Sequence, residues 1–264
     1  MKSMEKTSAV GRIERVAKKW TPDSYLLVPH QNGEVRFVYP SFQNNYVNAG
    51  SSIINSGLEI PTGSESVSLL NEAYHSEDKE FKNSPETDFI RNDVMKQRWL
   101  WVFNRNIWTP KNAKNAGVYV QFDSQAKGMS EILSVNDLED ALSGGKTENG
   151  VRFSKDGRTA FASYNTTRAG SHDKGTLAKN GFVIASYGLE GAEKLDNVSR
   201  EFTFKPYVYL VDNTQDKPVQ SLSALGRSWD DDYGLSVDGG ADGLGRSGYA
   251  FGVCDSAEGS APKK

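Results

Sequence analysis

The sequence is poor in the residue types that most often build disulfides, metal sites and nucleophilic centres. Its 264 residues include one cysteine, Cys254, and three histidines. One cysteine excludes an intramolecular disulfide and a cysteine-cluster zinc site. The acidic stretch 230–243 lacks the ligand spacing of an EF-hand, and no Gly-x-Ser-x-Gly sequence marks a serine hydrolase. We therefore expect neither a bound metal nor a cofactor.

Long apolar runs and a strong charge of one sign are also missing. No run approaches the roughly 18 apolar residues that a membrane-spanning helix needs, and the first 20 residues lack the apolar centre of a secretory signal. The net charge of -3 gives no general attraction to nucleic acid or anionic membranes. The composition, 37% hydrophobic and 25% charged, is typical of a soluble globular protein. Cytoplasmic residence is the simplest expectation.

Turn sequences and apolar runs predict several strands and hairpins. Asn32-Gly33 separates two apolar runs and indicates one hairpin, and a second hairpin is expected around residues 154–157. Residues 98–103 carry apolar side chains on both faces, as a central strand does, and 118–122 form the next strand. A last strand is expected within 248–254.

Capping sequences and helical periodicity predict about five helices. A capping box at 62–65, the pair Ser84-Pro85 and Ser134 each mark the start of one helix. Residues 3–20 combine an apolar stripe with a net positive charge, which indicates an amphipathic helix docked on the sheet. Apolar residues at i+3 spacing predict a further helix over 189–198.

The segment FVIASY, residues 182–187, is largely apolar and is interpreted as a strand. With the helix at 189–198 and the apolar run 202–211, it would form a strand–helix–strand unit with parallel strands. Residues 41–63 and 226–246 are rich in glycine and small polar residues, and we expect them to be loops.

Strands and helices are interspersed without strict alternation, which predicts an α+β fold. We expect a single compact domain with a mixed, largely antiparallel sheet, several hairpins and about five helices. No linker composition interrupts residues 1–254, and 144–150 is the only candidate subdivision. Residues 255–264 are expected to be a disordered tail.

The polar stretch 164–180 is the candidate functional site, because compact domains rarely keep structureless loops longer than about 12–15 residues without a use for them. His172 and Asp173 are the candidate acid–base pair. Five neighbouring residues are the candidate ligands for an anion: Arg168, Lys174, Thr176, Lys179 and Asn180.

Two functions of different classes remain open, and the sequence does not decide whether the protein is an enzyme. The lack of a catalytic motif favours a soluble intracellular binding or assembly protein, with the polar loops 41–63, 164–180 and 226–246 as contact surfaces. Its partner would be another protein or a second copy of the chain. The alternative is an enzyme acting on a phosphorylated or anionic small molecule, or on a nucleic acid end, through the Arg168-His172-Asp173-Lys174 loop. In that case His172→Ala should abolish activity and leave the melting temperature nearly unchanged.

Overall fold

The computed structural model of the chain describes residues 10–15, 24–227, 234–243 and 247–254. They form one α+β fold in which helices pack on a mixed, largely antiparallel sheet, so the predicted fold class is confirmed. The expected disordered tail at 255–264 lies outside the described residues. Residues 144–150, the candidate subdivision, include a strand of the main sheet.

A smaller sheet has the order β1-β2-β3-β15. Its strands are β1 (Arg12–Arg15), β2 (Ser24–His30), β3 (Gly33–Tyr39) and β15 (Val253–Cys254). The hairpin of β2 and β3 is confirmed, but its turn lies one residue earlier than predicted. His30 pairs with Gly33 across it, so the turn residues are Gln31 and Asn32, and Gln31 carries the positive φ.

The main sheet has eleven strands. They are β4 (Phe42–Asn44), β5 (Trp99–Trp108), β6 (Gly117–Phe122), β7 (Lys146–Glu148), β8 (Val151–Phe153), β9 (Thr159–Ser163), β10 (Gly170–Ser171), β11 (Tyr207–Tyr209), β12 (Val219–Arg227), β13 (Leu235–Ala241) and β14 (Gly248–Ala250). Nine of them follow the order β10-β11-β13-β12-β5-β6-β9-β8-β7, and β14 joins β5 to β4. The pairs β11–β13 and β14–β5 are parallel, and the other pairs in the sheet are antiparallel.

The helices are α1 (Tyr46–Asn55), α2 (Gly63–His75), α3 (Lys79–Lys82), α4 (Pro85–Phe89), α5 (Met95–Gln97), α6 (Val135–Leu142) and α7 (Gly181–Ser199). A π-helical segment over Ile90–Val94 joins α4 to α5, and Leu177–Lys179 form a 3-10 turn. The predicted helix starts are confirmed: Thr62 and Glu65 form the capping box of α2, and Ser84 and Ser134 cap α4 and α6. Among the described residues, no helix is long and apolar enough to cross a bilayer.

Two predicted element types are wrong. Residues 182–187 belong to α7 and not to a strand, so the predicted strand–helix–strand unit does not form. Their side chains are apolar on all sides because the segment is buried, and periodicity cannot separate a buried helix from a buried strand. Of the expected helix at 3–20, residues 10–15 are described, and Arg12–Arg15 among them form strand β1, whose backbone pairs with β2. The rest of that helix lies outside the described residues.

Two predicted loops also carry regular structure. Residues 41–63 contain β4 and α1, and α1 begins at an Asn45 cap whose side chain accepts from the backbone N–H of Asn48. Residues 226–246 include the end of β12 and all of β13. Small polar residues were compatible with both elements because α1 buries only one face and β13 lies against β12 and β11.

The core forms on both faces of β5, as its doubly apolar sequence predicts. Leu100, Val102 and Trp108 join a cluster that includes α2, α7 and the smaller sheet. Trp101 and Phe103 face the other way and pack with α1. Helix α2 packs against both α7 and β2, and α7 lies over β6, β8 and β9. The end of the β2–β3 hairpin, the start of α2 and the middle of α7 therefore meet.

Candidate functional site

A cleft of 570 Å³ opens where four segments that are distant in sequence converge. It is lined by the turn of the β2–β3 hairpin, the first residues of α2, residues 185–190 of α7 and the edge formed by β7, β8 and the turn before β9. The apolar part of its surface includes the rings of Phe122 and Phe153. Its volume lies within the range of about 300–1,000 Å³ that is usual for small-molecule sites.

Helix α7 is broken where it reaches the cleft. Gly188 has φ 72° and ψ 174°, a conformation that is essentially restricted to glycine. A Cβ added there would meet no atom within 4 Å, so the glycine is required by the backbone and not by the space around it. The break places a new helix start at Leu189 and Glu190, and helix starts carry backbone N–H groups without intrahelical acceptors.

The floor of the cleft depends on a close approach of α2 to α7. A Cβ on Gly63 would lie 2.3 Å from the backbone oxygen of Ser186, which leaves room for glycine alone. The side-chain amide of Asn104 donates to the same oxygen at 3.1 Å, which ties β5 to this point. The two helices are therefore held together immediately before the break at Gly188.

The carboxylates of the cleft already have donors within the protein. Glu65 accepts from the backbone N–H and the hydroxyl of Thr62 at 2.7 and 2.9 Å, and Asp156 accepts from the hydroxyl of Ser154 at 2.6 Å. Glu148 pairs with Lys146 at 3.1 Å, and Glu190 pairs with Lys194 at 2.7 Å. The hydrogen bond from Ser154 lowers the pKa of Asp156, and that from Lys194 lowers the pKa of Glu190. Each of the four carboxylates thus has a hydrogen-bond donor within the protein.

Two donors at the cleft, in contrast, have no acceptor among the described residues. The hydroxyl of Ser186 is buried and makes no hydrogen bond, although the residue is only 6% exposed. The exposed guanidinium of Arg158 lies 5.7 Å from the centre of the Phe122 ring and forms no ion pair within the described chain. Buried polar groups normally find partners, so an unpaired hydroxyl in a cleft marks a place where a ligand can supply one.

A third polar group, His30, is held from behind by a short relay. Its Nδ1 lies 2.9 Å from the hydroxyl of Ser68, and the ammonium group of Lys194 donates to that hydroxyl at 2.9 Å. Burial lowers the pKa of His30, and the nearby charge of Lys194 acts in the same direction. His30 is therefore neutral at pH 7, and its Nε2 makes no hydrogen bond to the described residues.

The predicted site, the loop 164–180, is ordered by its own polar residues. His172 is only 4% exposed, and its Nε2 lies 3.0 Å from the backbone oxygen of Arg168 and 3.2 Å from Asn180 Nδ2. Asn180 also caps α7, because its Oδ1 accepts from the backbone N–H of Phe182. Burial lowers the pKa of His172.

The other predicted site residues are distributed around that loop. Asp173 is exposed, and its ion pair with Lys205 at 2.6 Å lowers its pKa. Lys174 Nζ donates to the backbone oxygen of Phe202 at 2.6 Å, and Thr176 Oγ1 donates to that of Asp173 at 2.7 Å. The side chains of Arg168 and Lys179 are exposed.

The loop thus brings together His172, Asn180 and the backbone of Arg168, whereas Asp173 and Lys174 are bonded elsewhere. None of the seven predicted residues lines the described cleft. The acid–base and anion-binding roles of this loop stay a prediction.

The residues of the cleft carry little sequence signal. His30, Ser186 and Arg158 belong to three separate elements, and each alone is an ordinary polar residue. The one local sign is Gly188, a glycine inside a helical apolar pattern, which often has a packing or functional reason. Because residues 182–187 were predicted to be a strand, Gly188 was expected at the end of that strand and not at a break within a helix.

Acid should destabilise this fold as the pH falls below about 6.5, the ordinary histidine pKa. Burial lowers the pKa of both His30 and His172, so the unfolded chain binds more protons than the folded chain at mildly acidic pH. The free energy of unfolding, measured by urea denaturation, should therefore fall as pH falls from about 7.5 to about 5. The double variant His30→Gln/His172→Gln should show a flatter profile. An unfolding free energy that rises with acid in this window would contradict the assignment.

Comparisons with known proteins give one distant structural likeness. No family model and no curated protein matches the sequence. A solved structure described as "Accommodation of massive sequence variation in Nanoarchaeota by the C-type lectin fold" is similar to this chain with a TM-score of 0.47 and 14% sequence identity. The match covers 81% of this chain and 96% of that one. At this identity and TM-score the likeness transfers neither function nor binding sites.

Proposed function

We propose that this chain is a binding protein that takes a polar ligand in the cleft between the β2–β3 turn, the start of α2 and the break in α7. The observation that carries the proposal is the unpartnered, buried hydroxyl of Ser186 on the wall of a cleft of ligand-sized volume. The oxygen is nearly closed to solvent, so the side chain of Ser186 must turn about its Cα–Cβ bond toward the cleft to meet a ligand. A hydrogen bond to the ligand would then recover the roughly 1–3 kcal/mol that an unmet hydroxyl in the interior costs.

The balance of donors and acceptors indicates what the ligand offers. The carboxylates of the cleft are paired within the protein, whereas Ser186, Arg158 and His30 Nε2 have hydrogen-bonding capacity left over. Arginine can only donate, and a neutral histidine with its Nδ1 occupied donates through Nε2. The ligand should therefore be rich in acceptor oxygens, with an apolar part that contacts Phe122 and Phe153.

This proposal keeps the class expected from the sequence and changes the surface. Of the three loops expected to make contacts, only Thr62 and Gly63 of the range 41–63 line the cleft. Assembly through the loops 164–180 and 226–246, with a protein partner or a second copy, stays a prediction, as does the intracellular setting. The enzyme alternative at Arg168-His172-Asp173-Lys174 also stays a prediction.

Benzamide is a suitable probe, because it carries an acceptor oxygen on a flat apolar ring. In a titration followed by amide chemical shifts, we expect changes concentrated at Gly63, Gly188 and their neighbours. Ser186→Ala should weaken benzamide binding by about 2–10-fold, the range that corresponds to one hydrogen bond. The same variant should be more stable than the wild-type protein by up to about 1–3 kcal/mol, because it deletes a buried hydroxyl without partners.

The matched control is Ser236→Ala. Ser236 also has a buried hydroxyl without a partner, but it lies in β13 and does not line the cleft. Its removal should leave benzamide binding unchanged. Equal losses in the two variants, or shift changes scattered over the surface in the wild-type protein, would count against the cleft as the binding site.

A further inference from the structure

Arg158 stands at the rim of the cleft in a position suited to a ligand anion. Its side chain is exposed, its guanidinium lies 5.7 Å from the centre of the Phe122 ring, and it forms no ion pair within 4 Å among the described residues, although its charge acts on the nearby carboxylate of Asp156. Asp156, two residues earlier, is engaged instead by the hydroxyl of Ser154 and by the backbone N–H of Arg158. The N–H groups of the guanidinium are thus available to a ligand.

We infer that the ligand of this cleft carries a carboxylate that pairs with Arg158. The inference rests on the proposed function and names the chemical class of its ligand. A guanidinium and a carboxylate match in a planar, two-bond arrangement that a lysine ammonium does not offer. The face of the Phe122 ring attracts the guanidinium, whose central carbon lies 5.7 Å from the ring centre, near the limit of about 6 Å for a cation–π interaction.

The charges around the cleft favour a single negative charge over a double one. Two cations, Lys146 and Arg158, line the cleft beside four carboxylates, and Lys146 is already paired with Glu148. A phosphate monoester carries a charge of about -1.5 to -2 at pH 7. The carboxylates of the cleft would repel it more strongly than they repel a carboxylate ligand. The cleft should therefore prefer a monocarboxylate to a phosphate of similar size.

His30 supplies a second, neutral donor among the residues that line the cleft. Lys194 can only donate to Ser68, so the hydroxyl of Ser68 is left to donate to His30 Nδ1. That arrangement puts the histidine proton on Nε2, the nitrogen without a protein partner. The groups that face His30 are Glu65, Glu190 and Lys194, and a neutral imidazole among them can bond a ligand oxygen without adding charge.

Benzoate and benzamide test this inference, since they have nearly the same shape and differ in charge. In the wild-type protein, benzoate should bind about tenfold more tightly than benzamide, which corresponds to one charge-assisted hydrogen-bonded pair. In Arg158→Gln that ratio should fall to about one. The control is Arg168→Gln, which removes an exposed arginine from the loop 164–180 and should leave the ratio unchanged. Phenyl phosphate should bind more weakly than benzoate.

The outcomes separate the inference from the proposed function. If benzamide shifts the cleft amides and benzoate binds no better, the cleft is a binding site and the carboxylate assignment is wrong. If neither probe affects the cleft, both proposals fail. If Arg158→Gln still binds benzoate about tenfold more tightly than benzamide, or if Arg168→Gln no longer does, the carboxylate binds elsewhere and the role assigned to Arg158 is wrong. If phenyl phosphate binds more tightly than benzoate, the carboxylate assignment is wrong and the ligand of the cleft carries a phosphate.

Discussion

Gly63→Ala should destabilise the protein by about 3 kcal/mol, the upper end of the usual effect of overpacking a tight contact. The new Cβ would lie 2.3 Å from the backbone oxygen of Ser186, and a backbone oxygen cannot rotate away as a side chain can. Helices α2 and α7 would have to separate, and the hydrogen bond from Asn104 to Ser186 would lengthen. Urea denaturation measures the loss directly.

The control for this substitution is Gly33→Ala at the start of β3. A Cβ there would meet nothing within 4 Å, and the backbone of Gly33 is not in the left-handed region. Its effect on the unfolding free energy should stay within about 0.5 kcal/mol, as for most surface changes. If Gly63→Ala were equally mild, α2 and α7 would not be held together as described. Wild-type binding of benzamide by Gly63→Ala would likewise argue against a cleft shaped by that contact.

His172→Ala should destabilise the protein by about 2–4 kcal/mol, because it removes a buried ring and its hydrogen bonds. His172 is 4% exposed and contacts both Arg168 and Asn180, the residue that caps α7. The sequence predicted a nearly unchanged melting temperature, since the loop was expected to be solvated. The measured quantity is the unfolding free energy of the variant relative to wild type.

His75→Ala is the comparison for this prediction, because His75 is partly exposed and its Nε2 lies 3.1 Å from a carboxylate oxygen of Glu201 at the surface. It should lose about 1 kcal/mol or less. A wild-type unfolding free energy in His172→Ala would show that the histidine does not anchor the loop. In that case a loss of activity in the same variant would support the enzyme alternative, since it would no longer be explained by unfolding.

Elements specified by local chemistry could be predicted from the sequence. Examples are the capping box at Thr62 and Glu65, the proline after Ser84 and the hairpin turns. Each acts within a few residues, so the local sequence is enough to predict it. The doubly apolar strand β5 was equally clear, since both of its faces are covered by helices. The hairpin of β7 and β8 carried the same kind of signal in Asn149-Gly150, which both have positive φ, and it went unassigned.

Elements set by long-range packing could not be predicted. Residues 182–187 are apolar on every side because α7 is buried between α2 and the main sheet, and that context is absent from the segment itself. The strand at Arg12–Arg15 exists through its pairing with β2. Both errors arise where tertiary contacts outweigh local preference.

The candidate site was out of reach for a related reason. Its groups come from the β2–β3 turn, α2, α7 and the turn before β9, and only the folded chain brings them together. The loop 164–180 was instead predicted to be the functional site because its polar residues are close in sequence. Several of those residues instead bond to the backbone and fix the loop.

The central claim is that the cleft beside the break in α7 is the ligand site, and a crystal structure of the protein soaked with benzoate tests it most directly. We expect density for benzoate in the cleft, with its carboxylate against Arg158 and its ring near Phe122. Density in the loop 164–180, or a cleft without density at a benzoate concentration that saturates binding in solution, would contradict it.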